Sequence, residues 1–250
     1  MLTPRIVRLA ALALAPALAL GLAAAAPAAG GPAPVVTLKA TVSPPTDRLR
    51  PHTPFTVVID NAFKSIPPGG TFVLQSFDYL FPRGAVTNGR LFPSCSVARL
   101  RAAHGDLRAC PKGSKIGSGV ATGTAVALGI TSSGKVTLFN GPGGRSITMN
   151  VHVVRPADIN TTWTAVFAKT HGRYVLKLSA NVPDELKSVL DSPIVVSRIH
   201  VTTGATRIVA GVRRGYTEAV HCPKGGKAPF HGDFVFDGGV KASADTTIAC

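Results

Sequence analysis

Acidic residues are scarce in this chain. Its 250 residues hold 12 Asp and Glu against 27 Lys and Arg, and Glu185 and Glu218 are the only glutamates. Most glycosidases need paired carboxylates, and here few acids remain once turn caps and solvated loops have taken theirs. Other signatures of catalysis are missing too. None of the seven histidines stands in H-E-x-x-H or H-x-x-E-H spacing, so the familiar zinc-protease patterns are absent. No G-x-S-x-G elbow occurs, although a Ser-His-Asp set can converge from distant positions because triads are defined by geometry. Beyond residue 28 no apolar run approaches a membrane span. Aromatics are few, and Trp163 and Tyr174 suit the core or rim of a β fold better than a sugar-stacking platform.

What is present begins with a leader. Met1 to Arg8 carries Arg5 and Arg8 and no acid, Leu9 to Ala26 is almost pure Ala and Leu, and "AAAAPAAGGPAP" follows. A basic start, an apolar middle and a small-residue exit predict a secretory signal peptide over residues 1–28, cleaved near Ala26-Pro27-Ala28. The competing reading is a retained anchor, which Pro16 and the small-residue exit disfavour. Residues 29–34 then read as a flexible linker and 35–250 as one secreted domain, with a subdivision near residues 131–135 left open.

Removing Arg5 and Arg8 takes the formal charge from +15 to +13. Such an excess favours polyanionic partners, anionic cell-wall or membrane-surface polymers among them, while the plainer reading is a soluble basic protein. The tightest basic groups are Arg99, Arg101, Arg108, Lys112 and Lys115, and Arg207, Arg213 and Arg214. Arg99, Arg101, Arg108, Lys112, Lys115, Arg213 and Arg214 are the candidate anion contacts. Nothing points to specific nucleic-acid recognition, to a cofactor or to a metal. The four cysteines, Cys95, Cys110, Cys222 and Cys250, are even in number and too widely spaced for the usual zinc pairs. In an exported chain they read as two disulfides, of which Cys95–Cys110 and Cys222–Cys250 are the pairings local in sequence.

After the linker come short apolar runs with period-two alternation, divided by Gly, Pro and Asn: "VVTLKATVSP", "FTVVID", "TFVLQSFDYLF" and so on to "VKASADTTIAC". Asn88-Gly89 and Asn140-Gly141 predict turns, the first a two-residue hairpin, and Gly238-Gly239 a hairpin between the last two runs. "SVARLRAAH" predicts a short helix, capped by Ser94 or Ser96 and ended by Gly105. "VPDELKSVL" predicts a second, with Pro183 in its first turn. About a dozen strands with two short helices imply an all-β fold, an antiparallel β-sandwich, one large or two packed, stapled by disulfides.

"ACPKGSKIGSGVATG", Ala109 to Gly123, has the glycines, lysine and serine of a phosphate cradle. It lacks the closing Gly-Lys-Ser/Thr and leads into alternating β rather than a helix, so it is not a P-loop. "CPKGSK" and its near-copy "CPKGGK" at Cys222 read instead as disulfide-anchored turns. "GPGGRS", Gly141 to Ser146, reads as a hairpin loop whose backbone N–H groups could meet an anion.

The segment with Phe92, Pro93 and Cys95, then Cys110, Pro111, Gly113, Ser114, Gly117 and Gly119, resembles an F-P-x-C…C-P-x-G-S-x-x-G-x-G pattern. That pattern occurs in uncharacterised exported proteins of high-GC Gram-positive bacteria, which also carry a C-terminal cysteine pair, matched here by Cys222 and Cys250. The resemblance implies secretion and two disulfides, and no activity. The expectation is an exported, non-enzymatic β protein with a structural or binding role at the cell envelope. The alternatives are a module that recognises a protein through a sheet edge, and a hydrolase whose site is assembled from distant residues.

Overall fold

A computed structural model describes residues 33–44, 51–65, 70–223 and 225–249. The signal-peptide reading, most of the linker and Cys250 therefore lie outside the described residues. The strands are β1 (Val35–Ser43), β2 (Thr56–Lys64), β3 (Leu74–Pro82), β4 (Ala85–Thr87), β5 (Lys115–Ala125), β6 (Ile130–Asn140), β7 (Ser146–Val153) and β8 (Ile159–Lys169). They continue as β9 (Tyr174–Asn181), β10 (Ser188–Val189), β11 (Ser192–Thr203), β12 (Thr206–Val209), β13 (Val212–Gly215), β14 (Thr217–Ala219), β15 (Lys227–Phe236) and β16 (Lys241–Ala249).

The fold is all-β and antiparallel, as the alternation predicts. One sheet runs β1-β2-β11-β5-β6-β7-β8-β9-β3-β15-β16, with β10 paired to β11 at one corner. It curls until its two edge strands, β1 and β16, lie side by side. The two layers are thus opposite walls of one nearly closed sheet, and the unpaired edges that would invite other strands cover each other. The segment 131–135 lies inside β6, paired with β5 along its length and with β7 at Lys135.

Inward residues alternate with outward ones along each strand. Leu38, Ile59, Phe77, Tyr79, Phe230 and Phe234 form the densest part of the core. Tyr79 and Phe230 stack with ring centroids 5.7 Å apart, and Phe63 meets Phe234 edge-on at 5.1 Å. Outward positions carry polar pairs, such as Arg198 with Asp60 at 2.7 Å, Thr122 with Ser133, and Thr124 with Thr131. Apolar inside and polar outside is the reverse of the pattern that lipid-spanning barrels show. No helix among the described residues is long and apolar enough to cross a membrane.

β5 explains its glycines. A Cβ on Gly119 would sit 2.1 Å from the His200 carbonyl oxygen, and one on Gly117 would sit 2.4 Å from that of Thr202. The sheet bends so tightly here that β11 crosses where those side chains would be, which only glycine allows. The stretch that resembled a phosphate cradle is a turn followed by a barrel corner. Gly113 takes φ +84°, and the buried Ser114 donates its hydroxyl to the Pro111 carbonyl at 2.7 Å.

The long connection 83–114 folds back over the outside of β6, β7 and β8 as a lid. It contains helix α1 (Val97–Ala102), whose N-cap Ser96 accepts from the Arg99 N–H, and Gly105 ends the segment at φ +80°. Cys95 is bonded to Cys110 with Cα atoms 5.2 Å apart, and the pair packs with Leu100, Leu107 and Phe139. The lid is tied to buried polar residues at the upper end of β6 and on the outer face of β7. Asn140 donates to the carbonyls of Gly89, Phe92 and Pro93 at 2.9–3.1 Å, and Thr148 donates to that of Cys95 at 2.7 Å.

Two local expectations change. Asn88-Gly89 is not a two-residue hairpin. Asn88 instead donates to the Gly215 carbonyl, Gly89 opens a single 3₁₀ turn, and β4 pairs with the distant β14. The predicted helix over "VPDELKSVL" shrinks to one 3₁₀ turn, Asp184–Leu186, because Ser188 and Val189 pair with β11. The hairpins at Asn140-Gly141 and Gly238-Gly239 form as expected.

Candidate functional site

The curled sheet encloses two apolar chambers. We call the end that carries the 83–114 connection the upper end. The upper chamber, about 140 Å³, lies between Val57, Phe81, Ile147, Phe167, Tyr216 and Ala228. The lower, about 120 Å³, lies between Phe77, Ala121, Val136, Trp163, Val182 and Val196. Met149, Ile199 and Val201 line both. An apolar cavity of about 150 Å³ stays dry and accepts a benzene-sized molecule, so each chamber suits a narrow apolar group. Met149 at the junction is unbranched and can shift its side chain without backbone movement.

These chambers follow from small residues on inward positions. Ala121, Gly123 and Ala125 of β5 and Ser132 and Gly134 of β6 all line the lower chamber where larger side chains would fill it. Two polar groups reach this apolar interior without a partner. The Tyr216 hydroxyl and the Trp163 indole N–H are buried and unbonded, and Tyr216 as a whole is 1% exposed. Burial pushes the Tyr216 phenol far above its ordinary pKa, so it stays a neutral donor. Leaving such a group unpaired costs about 1–3 kcal/mol. A ligand with an acceptor atom would recover that cost.

Beside the upper chamber lies Glu218, completely buried. Both its oxygens accept from Arg214, at 2.9 and 3.0 Å, and Oε1 also accepts from the Gly215 N–H at 2.8 Å. His52 stands 3.7 Å from the same carboxylate. Burial pushes the Glu218 pKa up, but the Arg214, Gly215 and Asn88 hydrogen bonds outweigh it and hold the group ionised, below the ordinary range. This pair fixes the turn into β14 and the position of Tyr216 between them.

Charge is divided between the two ends. Among the described residues, connection 83–114 carries Arg83, Arg90, Arg108 and Lys112, with Arg99 and Arg101 on the part that runs down the flank. Among the described residues, the other upper connections add Arg145, Arg173, Arg207, Arg213 and Arg214, and the acids of the upper connections are Asp106 and Glu218. The lower connections reverse this, with Arg155 and Lys187 against Asp158, Asp184, Glu185, Asp191 and Asp237. With Lys64 and Lys241 at the adjoining strand ends, the lower end is close to balanced and the upper end is strongly basic.

The predicted anion contacts do not merge into one patch. Arg99 and Arg101 lie on α1 over the flank, and the Arg101 guanidinium donates to the Thr162 carbonyl at 3.4 Å. Arg108 is held by Asp106 at 3.0 Å. Lys112 lies in the disulfide turn and Lys115 opens β5, both exposed. Arg213 is exposed on the β12–β13 hairpin, whereas Arg214 is taken up by Glu218. Arg207 donates to the Leu91 carbonyl and so ties that hairpin to the lid. Cys222 is disulfide-bonded, while its expected partner Cys250 lies outside the described residues.

On the outer wall, the two ring nitrogens of His231 face carboxylates, Asp245 at 2.9 Å and Asp233 at 2.9 Å. Tyr174 joins from β9, its hydroxyl 3.4 Å from Asp245. Its even spacing with Leu176 and Leu178 predicts a shared face, but a bulge opposite Phe81 and Pro82 intervenes. His152 similarly meets Asp158 at 2.7 Å. No group of three or more His, Cys, Asp or Glu among the described residues is arranged to hold a metal. Spacing along the chain could not reveal the chambers or Tyr216, since they arise from strands far apart in sequence. The small inward residues of β5 were the one local signal.

Compared with protein families, with curated proteins and with solved structures, the chain matches none.

Proposed function

We propose that this is an exported binding protein of the cell envelope that holds a slender apolar ligand, such as a single alkyl chain, inside its curled sheet. The observation that carries this reading is the pair of apolar chambers that share Met149, Ile199 and Val201 in their lining. Their small volumes, about 140 and 120 Å³, favour a single alkyl chain over a bulky fused-ring ligand. The Tyr216 hydroxyl supplies a directional contact in the upper chamber and the Trp163 N–H one in the lower, a few polar groups in a mostly apolar lining being the usual division of labour in ligand pockets. The role is binding rather than catalysis, and the basic upper end turns toward anionic polymers of the wall or membrane surface. Export is supported by the leader sequence and agrees with the Cys95–Cys110 disulfide, since such bonds persist in oxidising compartments.

The test is displacement of a fluorescent apolar probe from the purified protein by saturated fatty acids of graded length. Saturable displacement that strengthens with chain length supports the reading, and Ala121→Phe, which fills the lower chamber, should weaken the longer chains most. Absence of displacement at every length removes it.

A further inference from the structure

The hairpin β12–β13 stands outside the large sheet as its own two-stranded ribbon at the basic end. Its sequence, "TRIVAGVRRG", sets five aliphatic or glycine residues between arginines. Ile208 is 63% exposed and Val212 59% exposed, and neither belongs to the core cluster. Register explains the arrangement. Val209 pairs with Val212, Ile208 with Arg213 and Arg207 with Arg214. Arg207 and Arg214 therefore share one face and anchor the base inward, to Leu91 and Glu218. Arg213 shares the opposite face with Ile208, near the tip.

The turn itself is unusual in composition. Ala210 at φ +48° and Gly211 at φ +78° occupy the two central positions. A two-residue turn with both φ values positive favours Asn or Asp first, because a Cβ is strained there. This chain places an apolar residue at a strained position on a fully projecting tip, so polarity has been avoided where it would have eased the turn.

We infer that this hairpin inserts its Ile208–Val212 tip into the surface of an anionic lipid bilayer, with Arg213 at the phosphate level. Exposed aliphatic residues with an arginine beside them match the interfacial layer of a membrane, where apolar groups enter the acyl boundary and basic groups meet acidic headgroups. A wall polyanion would use the arginines but leave the aliphatic tip in water. The inference rests on the reading that the upper end faces the anionic envelope, and narrows that surface to lipid. It is independent of the chambers.

The experiment is co-sedimentation of the purified protein with vesicles of phosphatidylglycerol, vesicles of phosphatidylcholine, and soluble polyphosphate measured in parallel. The expected result is binding to phosphatidylglycerol that weakens with salt, little binding to phosphatidylcholine, and about a tenfold or greater loss in I208S/V212S with polyphosphate binding unchanged. Ala210→Asn, which relaxes the turn while making the tip polar, should weaken vesicle binding in the same direction, so the test survives a folding defect in the double variant. Vesicle binding unchanged by both variants overturns the insertion. Binding to polyphosphate without binding to vesicles also overturns it, while leaving the electrostatic reading intact, and binding to neither removes both.

Discussion

Arg214 grips both oxygens of Glu218, at 2.9 and 3.0 Å, and the carboxylate it holds has no exposure to solvent. Removing one partner of such a pair leaves an uncompensated buried charge, which costs about 3–5 kcal/mol. Arg214→Leu should therefore destabilise by that order, read from urea unfolding at pH 7. Glu218→Gln keeps shape and some hydrogen bonding, and should cost less. Equal small losses from both would mean that water reaches the carboxylate. Glu218 also carries a pH signature. Its folded pKa lies below the unfolded value of about 4.3. Its stabilisation is therefore present above that pH and is lost as pH falls through the depressed folded value.

Tyr216 offers a test in which stability and binding move apart. Its hydroxyl is buried without a partner. Tyr216→Phe removes that unpaired group, so the ligand-free protein should be as stable as wild type or more stable by about 1 kcal/mol. Affinity for a fatty acid should fall by about tenfold, the worth of one hydrogen bond of about 1.4 kcal/mol. Calorimetry of the free protein and probe displacement on the same sample measure both. A drop in stability would show that the hydroxyl has a partner within the fold.

At Gly119 the argument is steric. The His200 carbonyl oxygen lies 2.1 Å from where its Cβ would be, and backbone cannot retreat as a flexible side chain can. Gly119→Val should yield no folded protein, whereas Val120→Thr on the next, exposed position should be tolerated within about 0.5 kcal/mol. Recovery of native circular dichroism from Gly119→Val would show that β5 and β11 can separate without losing the sheet.

Much of the fold is legible because half-buried strands write a period of two into the sequence. β1, β2 and the β15–β16 hairpin at Gly238-Gly239 are examples, and Ser96 and Gly105 mark the ends of the helical segment as capping chemistry predicts. Misreadings occur where a distant segment supplies the deciding bond. Asn88-Gly89 resembles a hairpin locally, but Gly215 and β14 claim it. The helix beginning at Pro183 is cut short by pairing with β11. Asn140 and Thr148 are buried because the lid supplies carbonyls for them, which no local pattern announces. The chambers were least legible of all, since Ala, Gly and Ser on an inward face leave space only once the opposite wall is known.

Apart from Phe92, which enters the main core, the lid buries little apolar material. Cys95 and Leu100, with Leu107 and Cys110 beside them, cluster on Phe139 of β6. The lid's order therefore leans on the disulfide, which spans 15 residues. A loop of that length corresponds to about 3 kcal/mol in the chain-entropy model. The Cys95→Ser, Cys110→Ser double variant should raise amide exchange across residues 95–114 while β7 and β8 keep their protection. Simultaneous loss of protection in those strands would mean that lid and wall unfold as one unit.

His231 links β15 to β16 through Asp245 on the outer wall, beside the edge where β16 meets β1. Burial lowers the His231 pKa, but hydrogen bonds to Asp245 and Asp233 outweigh it, and the net direction is upward. A histidine with a raised folded pKa stabilises fully below its unfolded value, about 6.5, and loses that contribution as pH rises through the folded value. Asp245 runs the other way. Its pKa is lowered by His231, so its contribution is present above about 3.9 and is lost in acid. The unit is therefore most stabilising between those limits, and weakens on the alkaline side first. Melting temperature should decline from pH 6 to pH 9 in wild type, and His231→Gln should flatten that decline while lowering stability at pH 6. The same slope in both proteins would mean that His231 does not titrate in this range. Because His231 sits on the penultimate strand of the sheet, protection of the β15–β16 amides should follow the same pH course ahead of the central strands.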